Sequence, residues 1–191
     1  MMTFTLDFTS VVKIDDEQFA QICKNNPDVQ FERSAAGELI IMPPVGVESG
    51  NREMDLMGQL WNWNRSKQLG KVFSSSTCFK LPNGALKSPD AAWVELSKWQ
   101  NLDLQERKKF ACLCPDFVIE LRSESDSLRT LQNKMTEYIE NGVKLGWLID
   151  PQKEEVTVYQ VDKEPEVLVK PQSINGDDIL PDFVCTLDFL W

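Results

Sequence analysis

Two acids stand in apolar company. Asp90 opens the run Asp90-Ala91-Ala92-Trp93-Val94, and Glu120 interrupts Phe117-Val118-Ile119-Glu120-Leu121. A carboxylate beside a buried strand is costly unless a cation or hydrogen-bond donors meet it. Hard oxygen donors of this kind suit Mg²⁺ or Mn²⁺, which keep several waters, polarise a phosphodiester and acidify an attacking water. Arg122, two residues beyond Glu120, shares its strand face because side chains alternate. A cation there would stabilise the charge that builds on phosphate in the transition state. Metal-assisted phosphodiester hydrolysis would suit the trio Asp90, Glu120 and Arg122. Paired acids also serve glycosidases, a reading that the flanking sequence does not support.

An absence narrows the chemistry further. The chain contains no histidine, which excludes Ser-His-Asp and Cys-His hydrolases, H-E-x-x-H zinc proteases and any nuclease whose base is imidazole. Neither G-x-x-x-x-G-K-[ST] nor G-x-G-x-x-G occurs, which argues against a nucleotide-driven enzyme. Five cysteines form an odd set, and Cys112-Leu113-Cys114 is too tightly spaced for a zinc knuckle, so buried reduced thiols are expected. Net charge is −10, which counts against tight non-specific binding to nucleic acid. A loaded divalent ion inverts the local sign of an acidic site, however, and Arg107-Lys108-Lys109 is either a local basic patch or a solvated helix end.

The elements that must position these residues follow from periodicity. At 191 residues the chain fits one domain, taken as 1–191. Asp15-Asp16-Glu17-Gln18 predicts a helix start running to Asn25-Asn26, and Phe31 with Leu39-Ile40-Ile41-Met42 predicts a hairpin. Met54, Met57, Leu60, Trp61 and Asn64 give residues 51–67 helical spacing, with Gly70 as its stop. Val72-Phe73 and Cys78 to Leu81 read as a strand pair leading to Asp90. Residues 97–111 read as a surface helix. Pro115 to Arg122 is a buried strand bounded by proline, Leu128, Leu131, Met135, Tyr138 and Ile139 an amphipathic helix, and Leu145 to Pro151 a short strand that completes a parallel crossover. Val156 to Val161 is read as an antiparallel neighbour, and the tail from Asn175 to Trp191 as packing on the core. The first residues lack a basic region and a continuous apolar run, and no stretch approaches a membrane span, so a soluble cytoplasmic protein is expected.

Several of these residues form a pattern together: Ser88-Pro89-Asp90, Pro115 to Leu121 with Arg122-Ser123-x-Ser125-Asp126, Lys134, Tyr138, Gly142-Val143 and Trp147-Leu148-Ile149-Asp150-Pro151. In combination they resemble the Uma2 family of endonucleases, over nearly the whole chain. The resemblance implies an α/β (α+β) restriction-endonuclease-like fold of the PD-(D/E)xK type, a mixed sheet flanked by helices, here with an N-terminal helix and hairpin. It implies Mg²⁺ or Mn²⁺ held by Asp90, Glu120 and Leu121, with Glu48 similar to the acid of the early helix. Nucleic acid, DNA above all, is the implied substrate, and a homodimer is the implied assembly. The motif lysine is replaced by Arg122, which stays protonated and cannot act as a base. Lys134 is the candidate substitute, because it lies just beside the stripe of Leu131 and Tyr138, within reach of the strand. Glu124 stands where the family commonly has proline.

Simpler readings stand beside these. Glu48 serves equally well as a first-turn acid of the helix that follows it. Asp90 after proline could satisfy turn amides, Glu120 and Arg122 could be an exposed ion pair, and Lys134 a solvated lysine. Trp61, Trp63 and Trp147 either stack on bases or pack in a core or dimer interface. A nuclease-like fold kept as a binding or oligomerisation module is the alternative function.

Overall fold

The computed structural model describes residues 3–191. The chain opens with β1 (Phe4–Leu6) and α1 (Asp16–Asn25). The Asp15 side chain accepts from the Gln18 amide, and the Gln18 side chain accepts from the Asp15 amide, which closes the first turn of α1. β2 (Gln30–Arg33) and β3 (Leu39–Met42) form the expected hairpin. A long helix, α2 (Val47–Lys67), precedes β4 (Gly70–Ser74), β5 (Phe79–Lys80), β6 (Leu86–Lys87) and β7 (Ala91–Glu95).

The second half begins with the short helix α3 (Leu96–Asn101), followed by β8 (Phe117–Leu121), α4 (Leu128–Glu140), β9 (Leu145–Asp150) and β10 (Glu155–Gln160). β11 (Glu166–Val169), β12 (Ser173–Asn175) and β13 (Val184–Thr186) complete the chain.

The central sheet has six strands in the order β11-β10-β9-β8-β7-β4. It is mixed: β8 and β9 are parallel, joined through α4, and the other pairs are antiparallel. Alternation sorts its side chains onto two faces. Ala91, Trp93, Phe117, Ile119, Leu121, Leu145, Trp147 and Ile149 meet Leu56, Leu60 and Trp63 of α2, with Leu180, Phe183 and Leu187 of the tail. On the opposite face Ala92, Val94, Val118 and Leu148 meet Met135 and Tyr138 of α4. This is a mixed sheet flanked by helices, as expected. A second sheet, β1-β3-β2-β6-β5, carries the hairpin and packs Phe31, Leu39 and Leu86 around Phe19 of α1.

Some local expectations need correction. Gly70 does not stop α2; Gln68 does, in left-handed backbone (φ 55°). Gly70 instead begins β4, where a Cβ would come within 2.2 Å of the Val94 carbonyl oxygen and 2.5 Å of the Trp93 ring, so only glycine fits. Val72-Phe73 and Phe79-Lys80 do not pair with each other: β4 joins β7 in the central sheet, and β5 joins β6 in the other. Residues 97–111 hold only α3 and one turn of 3₁₀ helix at Glu106–Lys108. Of the cysteines only Cys185 is fully buried, and Cys112 is exposed. Among the described residues no helix is long and apolar enough to cross a membrane.

Candidate active site

Asp90 stands one residue before β7. The β7–β8 ladder closes at Ala91 and Ile119, which leaves the Leu121 amide beyond it without a strand partner on that side. The Asp90 carboxylate takes that place, with Oδ2 accepting from Leu121 N at 2.7 Å. Asp90 and the end of β8 are thus fixed to one another by a hydrogen bond that stands in for the ladder.

Glu120 leaves the strand on the α4 face, between the apolar positions Val118 and Leu148 that pack under the helix. It is buried, not exposed. On α4, Lys134 and Tyr138 are one turn apart and reach the same oxygen. Glu120 Oε1 lies 2.8 Å from Lys134 Nζ and accepts from the Tyr138 hydroxyl at 3.0 Å. Lys134 is nearly buried too, with its side chain 12% exposed, and is no solvated lysine.

A further carboxylate enters from the second sheet. Glu32 on β2 is buried, and its Oε1 lies 2.9 Å from Lys134 Nζ and accepts from Ser88 N at 2.9 Å. Lys87 stands 3.7 Å from Glu32 Oε2 and 3.2 Å from Glu137 Oε2. Glu32 was not foreseen from sequence. Its one signal there was a charge between Phe31 and Arg33 in a strand whose other side packs on α1. Tyr138 was legible only as a member of the apolar stripe.

The electrostatics follow from crowding carboxylates out of water. Burial pushes the Asp90 carboxyl well above its ordinary range, and the neighbouring Glu120 adds to that, with a smaller contribution from Glu53 of α2. Burial also raises Glu120, although Lys134 opposes it. For Glu32, burial works upward, but Lys134 and Lys87 outweigh it and hold the group ionised below its ordinary value. Burial works against the charge on Lys134, yet Glu120 and Glu32 more than restore it, so it remains an ammonium. That state matters. A cationic Lys134 can stabilise charge or orient an anion, but it cannot take up a proton.

The donor set fits a divalent ion. Among the described residues, neither Asp90 Oδ1 nor Glu120 Oε2 takes part in a hydrogen bond, and both carboxyls resist ionisation because burial strips them of water. No group of three or more His, Cys, Asp or Glu able to hold a metal occurs among the described residues. Mg²⁺ requires none, since one or two carboxylates, water and substrate phosphate are its usual ligands. Leu121 could contribute only its backbone carbonyl.

Other candidates have partners of their own. Arg122 Nη1 is 2.8 Å from Asp150 Oδ2 at the end of β9, and Nε donates to the Asp126 carbonyl at 3.2 Å. Its guanidinium ties two strand ends and the following loop together instead of pairing with Glu120. Glu48 lies in the first turn of α2, is exposed, and pairs with Arg52 at 2.7 Å. The α2 acid that bears on Asp90 is the half-buried Glu53. Trp63 and Trp147 are core residues, and Trp61 is half exposed with the Arg65 guanidinium over its ring. Asp116, the aspartate of a second Pro-Asp pair, sits at the far end of β8 and is held by Lys98 and Lys144, each at 2.9 Å.

The model of a family described as putative restriction endonuclease, Uma2, matches residues 16–188. The chain belongs to the Uma2 family. A crystal structure of a putative nuclease belonging to DUF820 from Anabaena variabilis ATCC 29413 has the same fold, at a TM-score of 0.77 and 18% identity, covering 93% of this chain and 97% of that one. No curated protein sequence matches. In this Uma2 chain the lysine nearest the two acids comes from α4, not from the strand that carries Glu120.

Proposed function

We propose that the chain is a divalent-metal-dependent endonuclease that hydrolyses phosphodiester bonds of DNA, with Mg²⁺ or Mn²⁺ held by Asp90, Glu120 and the Leu121 carbonyl. The observation that carries this is the convergence of Asp90, Glu120 and Lys134. Two carboxylates that resist ionisation face one buried ammonium, in a family of putative restriction endonucleases. Such an ion would supply a Lewis acid for the scissile phosphate.

The protein's own groups do the rest. Asp90 and Glu120 hold their oxygens in a fixed relation, because Leu121 N–H anchors one and Tyr138 with Lys134 anchors the other. Lys134, permanently charged, would stabilise the negative charge that grows on phosphate oxygens. It takes over the charge role of the motif lysine. Arg122 keeps the strand ends together through Asp150.

Incubation of supercoiled plasmid with the protein and Mg²⁺ or Mn²⁺ tests the reading. Metal-dependent nicking that Asp90→Ala abolishes is expected. Equal trace activity in wild type and Asp90→Ala over several metals, on duplex and single strands, would overturn it in favour of a binding or oligomerisation module.

A further inference from the structure

A buried carboxylate is retained at a cost unless its partners use it. Glu32 is 3% exposed and belongs to a strand outside the central sheet, yet it reaches two parts of the site at once. A single oxygen, Oε1, meets both Lys134 Nζ and the amide of Ser88, two residues before Asp90. Lys134 is thereby suspended between two carboxylates at nearly equal distance, 2.9 Å to Glu32 and 2.8 Å to Glu120.

We infer that Glu32 is a positioning residue: it draws Lys134 back from the Asp90–Glu120 pair, leaving room for a divalent ion, and steadies the turn that delivers Asp90. This rests on the metal-dependent reading above. An ammonium and a divalent ion compete for the same carboxylate oxygens. With Glu32 present, Lys134 is shared and touches only Oε1 of Glu120. Without it, the ammonium has Glu120 and Asp90 as its remaining anions and moves into the place the metal would take. Lys87, the other cation at Glu32, is held by Glu137 as well and does not replace Lys134.

The test is a double-mutant cycle of Glu32→Gln and Lys134→Met, read by the Mn²⁺ dissociation constant in calorimetry and by cleavage rate. Residues that orient a metal's ligands typically change affinity by roughly 10–100-fold. Glu32→Gln should therefore weaken Mn²⁺ binding by about tenfold. In the Lys134→Met background the same substitution should cost far less, because the ammonium it restrained is gone. Glu32→Asp, which keeps the charge but withdraws the oxygen, should weaken binding in the same direction and completes the cycle if the glutamine variant does not fold. Additive losses across the cycle would overturn the role of Glu32 while leaving the metal site intact. A wild-type protein that binds no Mn²⁺ would overturn the nuclease reading, and this inference with it.

Discussion

The Lys134 ammonium sits 2.8 Å from Glu120 Oε1, delivered by the helix that follows the glutamate's own strand. The parallel crossover makes this so. β8 and β9 lie side by side, α4 must pack across them, and the residue beside its apolar stripe is held over the end of β8. Lys134→Met leaves Glu32 and Glu120 buried without their shared cation. It should lower stability by about 3 kcal/mol and cleavage by on the order of 10²-fold. Thermal melts should show added Mn²⁺ restoring more stability to this variant than to wild type, since the metal gains the oxygens that lysine held.

Asp90 illustrates the cost of keeping a site ready. Its folded pKa lies above its unfolded one, so the folded state holds the proton more tightly. As pH rises past the ordinary carboxylate range the unfolded state ionises first, and stability falls until the raised folded value is passed. The penalty is therefore present at neutral pH. Asp90→Asn removes it, while the amide oxygen can still accept from Leu121 N–H. In metal-free buffer at pH 7 this variant should gain about 1 kcal/mol, or roughly 2–4 °C in Tm for a chain of this size, and lose cleavage. Below the ordinary carboxylate range the gain should vanish.

Arg122 occupies the motif position yet faces Asp150, which is nearly buried. Arg122→Met should cost about 3 kcal/mol, because it strands that carboxylate. Arg122→Met/Asp150→Leu should recover most of the loss in denaturant melts. Cleavage by the recovered double variant should stay within a few-fold of wild type, whereas a phosphate-binding Arg122 would leave it inactive.

Two acids of α2 separate the helix start from the site. Glu48 is exposed and pairs with Arg52, an i,i+4 contact of roughly 0.3–0.5 kcal/mol. Glu53 adds its charge to those that raise Asp90. Glu48→Ala should leave Mn²⁺ affinity and cleavage almost unchanged, and Glu53→Gln should weaken both several-fold in the same assays.

Much of the architecture was legible because it is local. The buried run 115–122 and the strand 145–151 announce themselves as short apolar runs and the stripe from Leu128 to Ile139 by its period, and their order implies the crossover. The reach of Lys134 followed from the same geometry. Glu32 was not legible, since its role depends on a second sheet being brought against the first, a long-range event with no periodic trace. The acids of α2 show the same limit. Helical position shows which acid begins α2, but not that the charge of Glu53 bears on Asp90. Gly70 was misread because a glycine required by the close approach of Trp93 looks the same in sequence as one that ends a helix.

The central claim is a cation site between Asp90 and Glu120. Crystals soaked in MnCl₂ and measured near the manganese absorption edge test it directly. An anomalous peak bridging the two carboxylates, at about 2.2 Å from an oxygen of each, with Lys134 still on Glu32, is the predicted result. A map with no peak there, or with the Lys134 ammonium filling the space between Asp90 and Glu120, would contradict the account.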